Sequence, residues 1–181
     1  MNRQTYKSLP LDELHNLETA LREVPLTREE IEDAVLDVML IGWMNGLDYA
    51  SGILGDTRVN AEDLRDALNH KIDDKTYLDR LREHIDANDL DGIVKVADTE
   101  SHRLYNEAVF ESAEKSGKEV YKTWSTMLDD RVRETHDFLE GVTVPLHEKF
   151  YTIDGDSALY PGDFGNASNN VNCRCVCEIN L

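Results

Sequence analysis

The sequence is short of positive charge. Among its 181 residues, 19 lysines and arginines face 37 aspartates and glutamates, a formal net charge of −18. Acids outnumber bases about two to one in both halves, so the acidity is a property of the whole chain and not of a tail. Proteins that wrap nucleic acid draw affinity from cations that displace phosphate counterions. Broad nucleic-acid binding is therefore disfavoured, as is adsorption to an anionic membrane. Long apolar runs are missing as well: the stretch from Val38 to Met44 falls far short of the ~18 residues that span a bilayer. Residues 1–25 are polar and acidic, without the pattern of a signal peptide. Glycine (10) and proline (4) are too few for a low-complexity or collagen-like chain. Cysteine is scarce and clustered, with Cys173, Cys175 and Cys177 all near the C-terminus. An odd cluster does not make a secreted disulfide framework, so reduced thiols are expected. What remains is a soluble, intracellular or particle-borne protein of one domain, or one domain with an appendage.

The chain is nevertheless 40% apolar, and in its first two thirds the apolar residues recur with helical spacing. A short helix is predicted over Leu11–Leu21, closed by Pro25. Thr27 and Glu30 form a capping box, with Leu26 and Ile31 placed as a hydrophobic staple. The helix that follows carries Ile31, Ala34, Val35, Val38, Ile41 and Met44 and is predicted to stop near Gly52 or Gly55. Leu36, Met39 and Leu40 widen its apolar face, and a face this wide must be covered by something, either this chain or a partner through Trp43 and Met44. Asn60 with Asp63 opens a further helix through Leu64, Ala67, Leu68 and Ile72, and Tyr77–Ile85 marks another. A long helix is predicted from near Asn88 to Gly117.

After Gly117 the composition turns to β-branched and aromatic residues. Val120–Trp124 reads as a strand that buries Trp124, and Asp129 or Asp130 as the cap of a short helix bearing Val132, His136 and Leu139 up to Gly141. Val142–Val144, an aromatic turn at Phe150–Tyr151 and a loop over residues 154–170 follow. Alternation from Val171 to Leu181 predicts a final strand. The fold class is α+β: a helical region over residues 1–90 and, over 91–181, a long helix with a small sheet-containing module.

In that second part Glu100, Asn106, Trp124, Asp130-Arg131-Val132-Arg133, His136, Gly141, Phe150, Pro161 and Asn172-Cys173-Arg174-Cys175 occur in an order and spacing that resemble the phage Mu F-like minor head protein family, also called the phage head morphogenesis domain. The resemblance covers roughly residues 95–177. It implies a minor structural protein of a tailed phage or prophage, held near the portal and the capsid interior, working in head assembly or genome delivery by association and not by catalysis. Its partners would be portal and capsid proteins, with self-association left open and no cofactor required. Before assembly it would sit in the host cytoplasm. A prophage adaptor acting outside the particle is a third possibility.

The competing chemistry is a zinc-dependent hydrolase or toxin module built on His136, Cys173 and Cys175, residue types that zinc accepts. The spacing speaks against it. Residues two apart in a strand stand ~6.6 Å apart, whereas two thiolates on one zinc lie under ~4 Å apart. The expectation is instead that the three sulfurs line the inner face of the last strand as small buried hydrophobes. Cys173 with His136 and Asp137 lacks any signature of a nucleophile and its base. Asp154-Gly155-Asp156 is turn chemistry and not a calcium loop. Arg131, Arg133 and Arg174 are either an anion contact or, with acids in such excess, ties to neighbouring carboxylates.

Overall fold

The computed structural model describes residues 11–56 and 58–181. The first ten residues, on which much of the signal-peptide reading rests, lie outside the described residues. Five helices come first: α1 (Leu11–Glu23), α2 (Arg28–Leu54), α3 (Ala61–Leu68), α4 (Tyr77–Asp86) and α5 (Leu90–Lys115). Then come β1 (Tyr121–Ser125), α6 (Glu134–Asp137), β2 (Thr143–Pro145), β3 (Phe150–Tyr151), β4 (Ser157–Ala158), α7 (Ala167–Asn170) and β5 (Val176–Asn180). The chain is α+β. None of the described helices is long and apolar enough to cross a membrane.

The helix starts follow the capping chemistry. At α2, Thr27 Oγ1 accepts from the Glu30 N–H and the Glu30 carboxylate accepts from the Thr27 N–H at 2.7 Å. Asn60 and Asp63 form the same reciprocal pair at α3, and Thr76 with Asp79 adds a third at α4. The long helix is capped by Asp89, one residue beyond the expected start, and is followed by Gly117 at φ +67. The end of α2 falls at Gly55, again with positive φ.

Two long helices, α2 and α5, form the spine. Their crossing is close because α2 carries no side chain where they meet. A Cβ on Gly42 would lie 2.2 Å from the Ser101 carbonyl oxygen, and one on Gly46 would lie 2.3 Å from that of Tyr105 and 2.9 Å from the Ala108 Cβ. On one side of this seam Val35, Met39 and Trp43 meet Ile93, Ala97 and Leu104, joined by Leu14, Leu17 and Leu21 of α1, Ala67 of α3 and Leu81 of α4. On the other, Ala50 and Leu54 share a core with Tyr105, Val109 and Phe110 of α5 and with Val176, Cys177 and Ile179 at β5. Helix α5 thus serves both cores. Most of the apolar face of α2 is covered from within the chain, but Leu36, Leu40 and Ile41 are only partly buried and join none of the three cores, and Met44 is exposed.

The main sheet has the order β2-β1-β5, antiparallel throughout, with Trp124 opposite Cys177 and Lys122 opposite Ile179. A two-stranded hairpin, β3-β4, pairs Phe150 with Ala158. A third core gathers Trp124, Leu139, Phe150, Phe164, Cys173 and Cys175.

Three expectations need correction. The short helix begins at Glu134 after Arg133 and not at an aspartate cap, because Asp129 closes its own turn by accepting from the Arg131 N–H at 3.1 Å. Residues 154–170 contain β4 and α7, whose cap is Asn166. The last strand begins only at Val176: Asn172 sits at φ +57, which an extended strand does not permit, and Cys173–Cys175 curl away from the sheet.

The helix seam yields a paired prediction. Gly46→Ala inserts a methyl group into backbone and should destabilise by about 1–3 kcal/mol or more. Gly52→Ala, on the same helix with open space around it, should stabilise by roughly 0.5–1 kcal/mol. Urea denaturation of both variants measures the difference, and equal effects would contradict the close approach.

Candidate functional site

Most of the residues that carry the family resemblance fall into two buried groups joined through α5, with Asp130, Arg131 and Gly141 exposed. The first is ionic. Glu100 accepts from Arg80 Nη2 at 2.6 Å and from Arg103 Nε at 2.8 Å. Arg103 also pairs with Glu107, one turn on, and donates to the Ala67 carbonyl oxygen at 2.9 Å. Burial opposes charge at Glu100, yet Arg103 and Arg80 together hold its carboxyl below the ordinary value. Glu107 shares Arg103 and has no second arginine, and burial pushes its carboxyl up to about 7. Gly162, at φ +99 after Pro161, lays its backbone on the Arg103 side chain, where a Cβ would stand 2.9 Å from Cγ.

The second group lies where α6 meets the cysteines. His136 is 1% exposed, and its ring is enclosed by Trp124 (centroids 5.3 Å apart, edge-on) and Phe164 (5.4 Å, stacked). Phe150 closes the far side of Trp124. His136 Nδ1 stands 3.5 Å from Cys173 Sγ and 3.6 Å from Cys175 Sγ. The three atoms lie within 4.8 Å of one another. The sequence-based argument from strand spacing therefore fails at this point: the bend at Asn172 brings together two sulfurs that an extended chain would hold apart. Cys177, alone of the three on β5, faces the other core. Cys175 donates to Cys173, and with help from His136 this holds the Cys173 thiol well below its usual range. The Cys175 thiol moves the opposite way. Burial raises Cys177 to about 12.

The cysteine segment is held by its backbone. Asn106, buried on α5, donates to the Cys175 carbonyl oxygen at 3.1 Å and accepts from the Cys177 N–H at 2.7 Å, so one amide reads both edges of the chain around Val176. The Asn172 N–H donates to Thr99 Oγ1. Arg133 donates to the Ser168 and Val171 carbonyl oxygens, and Arg174 forks onto both oxygens of Asp129 at 2.8 and 2.6 Å. Arg131, largely exposed, lies 3.7 Å from the same carboxylate. The arginines thus act as ties, though Arg133 ties to carbonyls and not to acids. Asp130 is exposed and makes none of these contacts; its neighbour Asp129 does. Gly141, at φ +72, returns the chain so that its N–H donates to the Trp124 carbonyl oxygen. Asn170, outside the sequence-based set, holds the Phe164 turn through both its amide atoms. The repeated asparagines over 166–172 were its available signal.

A gap of about 10 Å³ lies against His136, Cys173 and Cys175, walled by Met127, Arg131 and Arg174. Room of that order admits about one water molecule. A cleft of about 460 Å³ shares Met127, Arg131, Asn172 and Arg174 in its wall and runs on to Leu14, Val94 and His102.

The family model described as Phage Mu protein F like protein matches residues 60–178, from the α3 cap into β5. Over 82 residues the chain is 38% identical to minor head protein GP7 of Bacillus phage SPP1, covering 44% of this chain and 27% of that protein. Over 86 residues it is 39% identical to the NAD(+)–arginine ADP-ribosyltransferase EFV of Enterococcus faecalis, covering 46% of this chain and 18% of that protein. The chain thus spans less than a third of either relative. No solved structure matches it.

Two outcomes are expected from the first group and its clamp. Asn106→Leu strands a buried carbonyl and a buried N–H and should cost about 1–3 kcal/mol per unpaired group, read as a lower urea midpoint. Glu107 has its folded value at about 7 against an ordinary 4.5. Between those values the folded chain keeps a proton that the unfolded chain has released, so its contribution to stability is lost as pH rises through that window. Glu107→Gln should flatten the decline in urea midpoint between about pH 5 and about pH 8; an unchanged slope would assign the decline elsewhere.

Proposed function

The chain belongs to the Phage Mu protein F like family, and from that premise we infer that it is a minor head protein of a tailed phage or prophage, working in head morphogenesis. The observation that carries this reading is the match over residues 60–178, which takes in both buried groups and the small sheet up to Glu178 in β5. The similarity to a phage minor head protein supports it. On this reading the chain joins other virion components inside the head, near the portal, and contributes to head assembly or genome delivery.

The mode of action is association. Helix α2 keeps most of its apolar face for its own chain, leaving Leu36, Leu40, Ile41 and Met44 partly or wholly open, so docking falls to these and to what else is left outside. Phe138, Val142, Tyr151 and Ile153 stand exposed on the C-terminal module, and aromatic and aliphatic anchors of this kind supply the core of protein interfaces. The acidic surface keeps the unassembled protein soluble and away from nonspecific contact with the genome. Turnover has no place in this reading. The ADP-ribosyltransferase named among the relatives shares 18% of its length with this chain, and that activity is not carried over.

The direct test is a pull-down of the full chain against the portal and major capsid proteins encoded beside it, together with mass spectrometry of purified particles. Retention on the portal and presence in virions are expected; absence from virions would favour an adaptor acting outside the particle. The charge argument gives a second measurement: at about 150 mM salt, duplex DNA should bind more weakly than roughly 10⁻⁴ M. Micromolar binding under those conditions would reveal a basic patch that outweighs the net charge.

A further inference from the structure

We propose that His136 Nδ1, Cys173 Sγ and Cys175 Sγ form a binding site for a soft divalent cation, zinc in the first instance, which clips α6 to the bent segment before β5. The inference goes beyond the head-protein reading and does not depend on it.

The geometry carries it. On a tetrahedral zinc with Zn–S ~2.3 Å and Zn–N ~2.0–2.1 Å, a sulfur and a nitrogen ligand lie about 3.6 Å apart. Here the imidazole nitrogen is 3.5 Å from one sulfur and 3.6 Å from the other. All three donor atoms lie within 4.8 Å of one another, and all three residues are buried. Hydrogen bonding accounts poorly for this arrangement. Nδ1 offers one proton or one lone pair, yet it is aimed at two sulfurs at nearly equal distance. A cation between the three donors satisfies all of them at once.

The donor set and its surroundings select the ion class. Two thiols and an imidazole suit zinc and other soft or borderline metals, and they exclude magnesium and calcium, which take oxygen. Metals bind the thiolate, so uptake of the ion would release the thiol protons. Asn106, Thr99 and Arg133 hold the segment by its backbone before any metal arrives, so little is left to order on binding. Three protein donors leave the fourth tetrahedral position to a water molecule, for which the adjoining gap of about 10 Å³ has room. The ion would join α6 to the segment before β5 whatever occupies that fourth position.

The test uses the whole chain, purified reduced and without chelator. Elemental analysis should find about one zinc per chain. Replacement by cobalt(II) should give the near-ultraviolet thiolate charge-transfer band and visible bands of a tetrahedral site. Cys173→Ser and Cys175→Ser should each lower the zinc content at least tenfold, while Cys177→Ser, altered in the other core, should keep it. Should the serine variants fail to fold, the native chain still decides: zinc should slow alkylation of Cys173 and Cys175, mapped by mass spectrometry, without altering that of Cys177. Zinc below a tenth of an equivalent with no cobalt charge-transfer band overturns the proposal. So does metal retained in folded Cys173→Ser and Cys175→Ser. These readings are made on the isolated chain, so failure to bind the portal leaves them untouched, and loss of the metal site leaves the head-protein reading standing.

Discussion

The structure rests on the approach of α2 to α5 at Gly42 and Gly46. Glycine in a helix costs about 0.8–1.0 kcal/mol relative to alanine, and two of them in one long helix require a compensating gain. The gain is contact: with no Cβ in the way, the α2 backbone lies on the Ser101 and Tyr105 carbonyls. Side chains beside the seam are thereby drawn into two cores, Val35, Trp43, Ala97 and Leu104 into one and Ala50, Tyr105 and Val109 into the other. Because the same α5 carries Glu100, Arg103 and Asn106, its position against α2 also sets where the C-terminal module can dock. A shift at the glycines would move the Asn106 amide off the chain at Val176, and with it the strand that completes the sheet.

Buried charge refines the placement that the glycines make possible. Arg103 is almost wholly enclosed and touches three parts of the chain: its own helix through Glu100 and Glu107, α3 through the Ala67 carbonyl, and the turn at Gly162 packed on its stem. Buried ion pairs contribute little net stability because desolvation offsets attraction. Geometry is what they enforce, since an arginine fork in the wrong place leaves carboxylates unpaired at high cost. Two arginines face two carboxylates, but the pairing is uneven: Glu100 holds both arginines and Glu107 shares one. The carboxylate with a single shared arginine is where burial wins over charge.

The helical half was legible because its signals are local. Thr27–Glu30 and Asn60–Asp63 are complete capping motifs in four residues, and the structure forms both. The Gly42–Gly46 pair was equally visible, four apart in an apolar helix, but a sequence shows only that the glycines are present and not what they approach. The C-terminal half misled where a local pattern had two solutions. Cysteines at 173, 175 and 177 alternate as a strand does, and only Asn172 in the left-handed region, which asparagine tolerates better than most residues, turns the first two off the sheet. Asp129 and Asp130 are equivalent in composition. Which of them meets Arg174 is decided by a contact 45 residues away, beyond any local reading.

The C-terminal module shows why a chain this size places so many polar groups inside. Its strands run from two to five residues, too short to be stable without other support, and its inner core is a handful of side chains around Trp124. Small apolar cores need added ties. Here asparagine amides, arginine forks onto backbone carbonyls and the His136–cysteine cluster take that part. Each works by binding backbone or by converging on one point, so each fixes a loop that hydrophobic burial alone would leave loosely placed. A module stiffened in this way presents Phe138, Val142, Tyr151 and Ile153 at set positions on its outside. Surfaces ordered before binding lose less entropy on docking, a property that suits the proposed part of this chain in an assembling head.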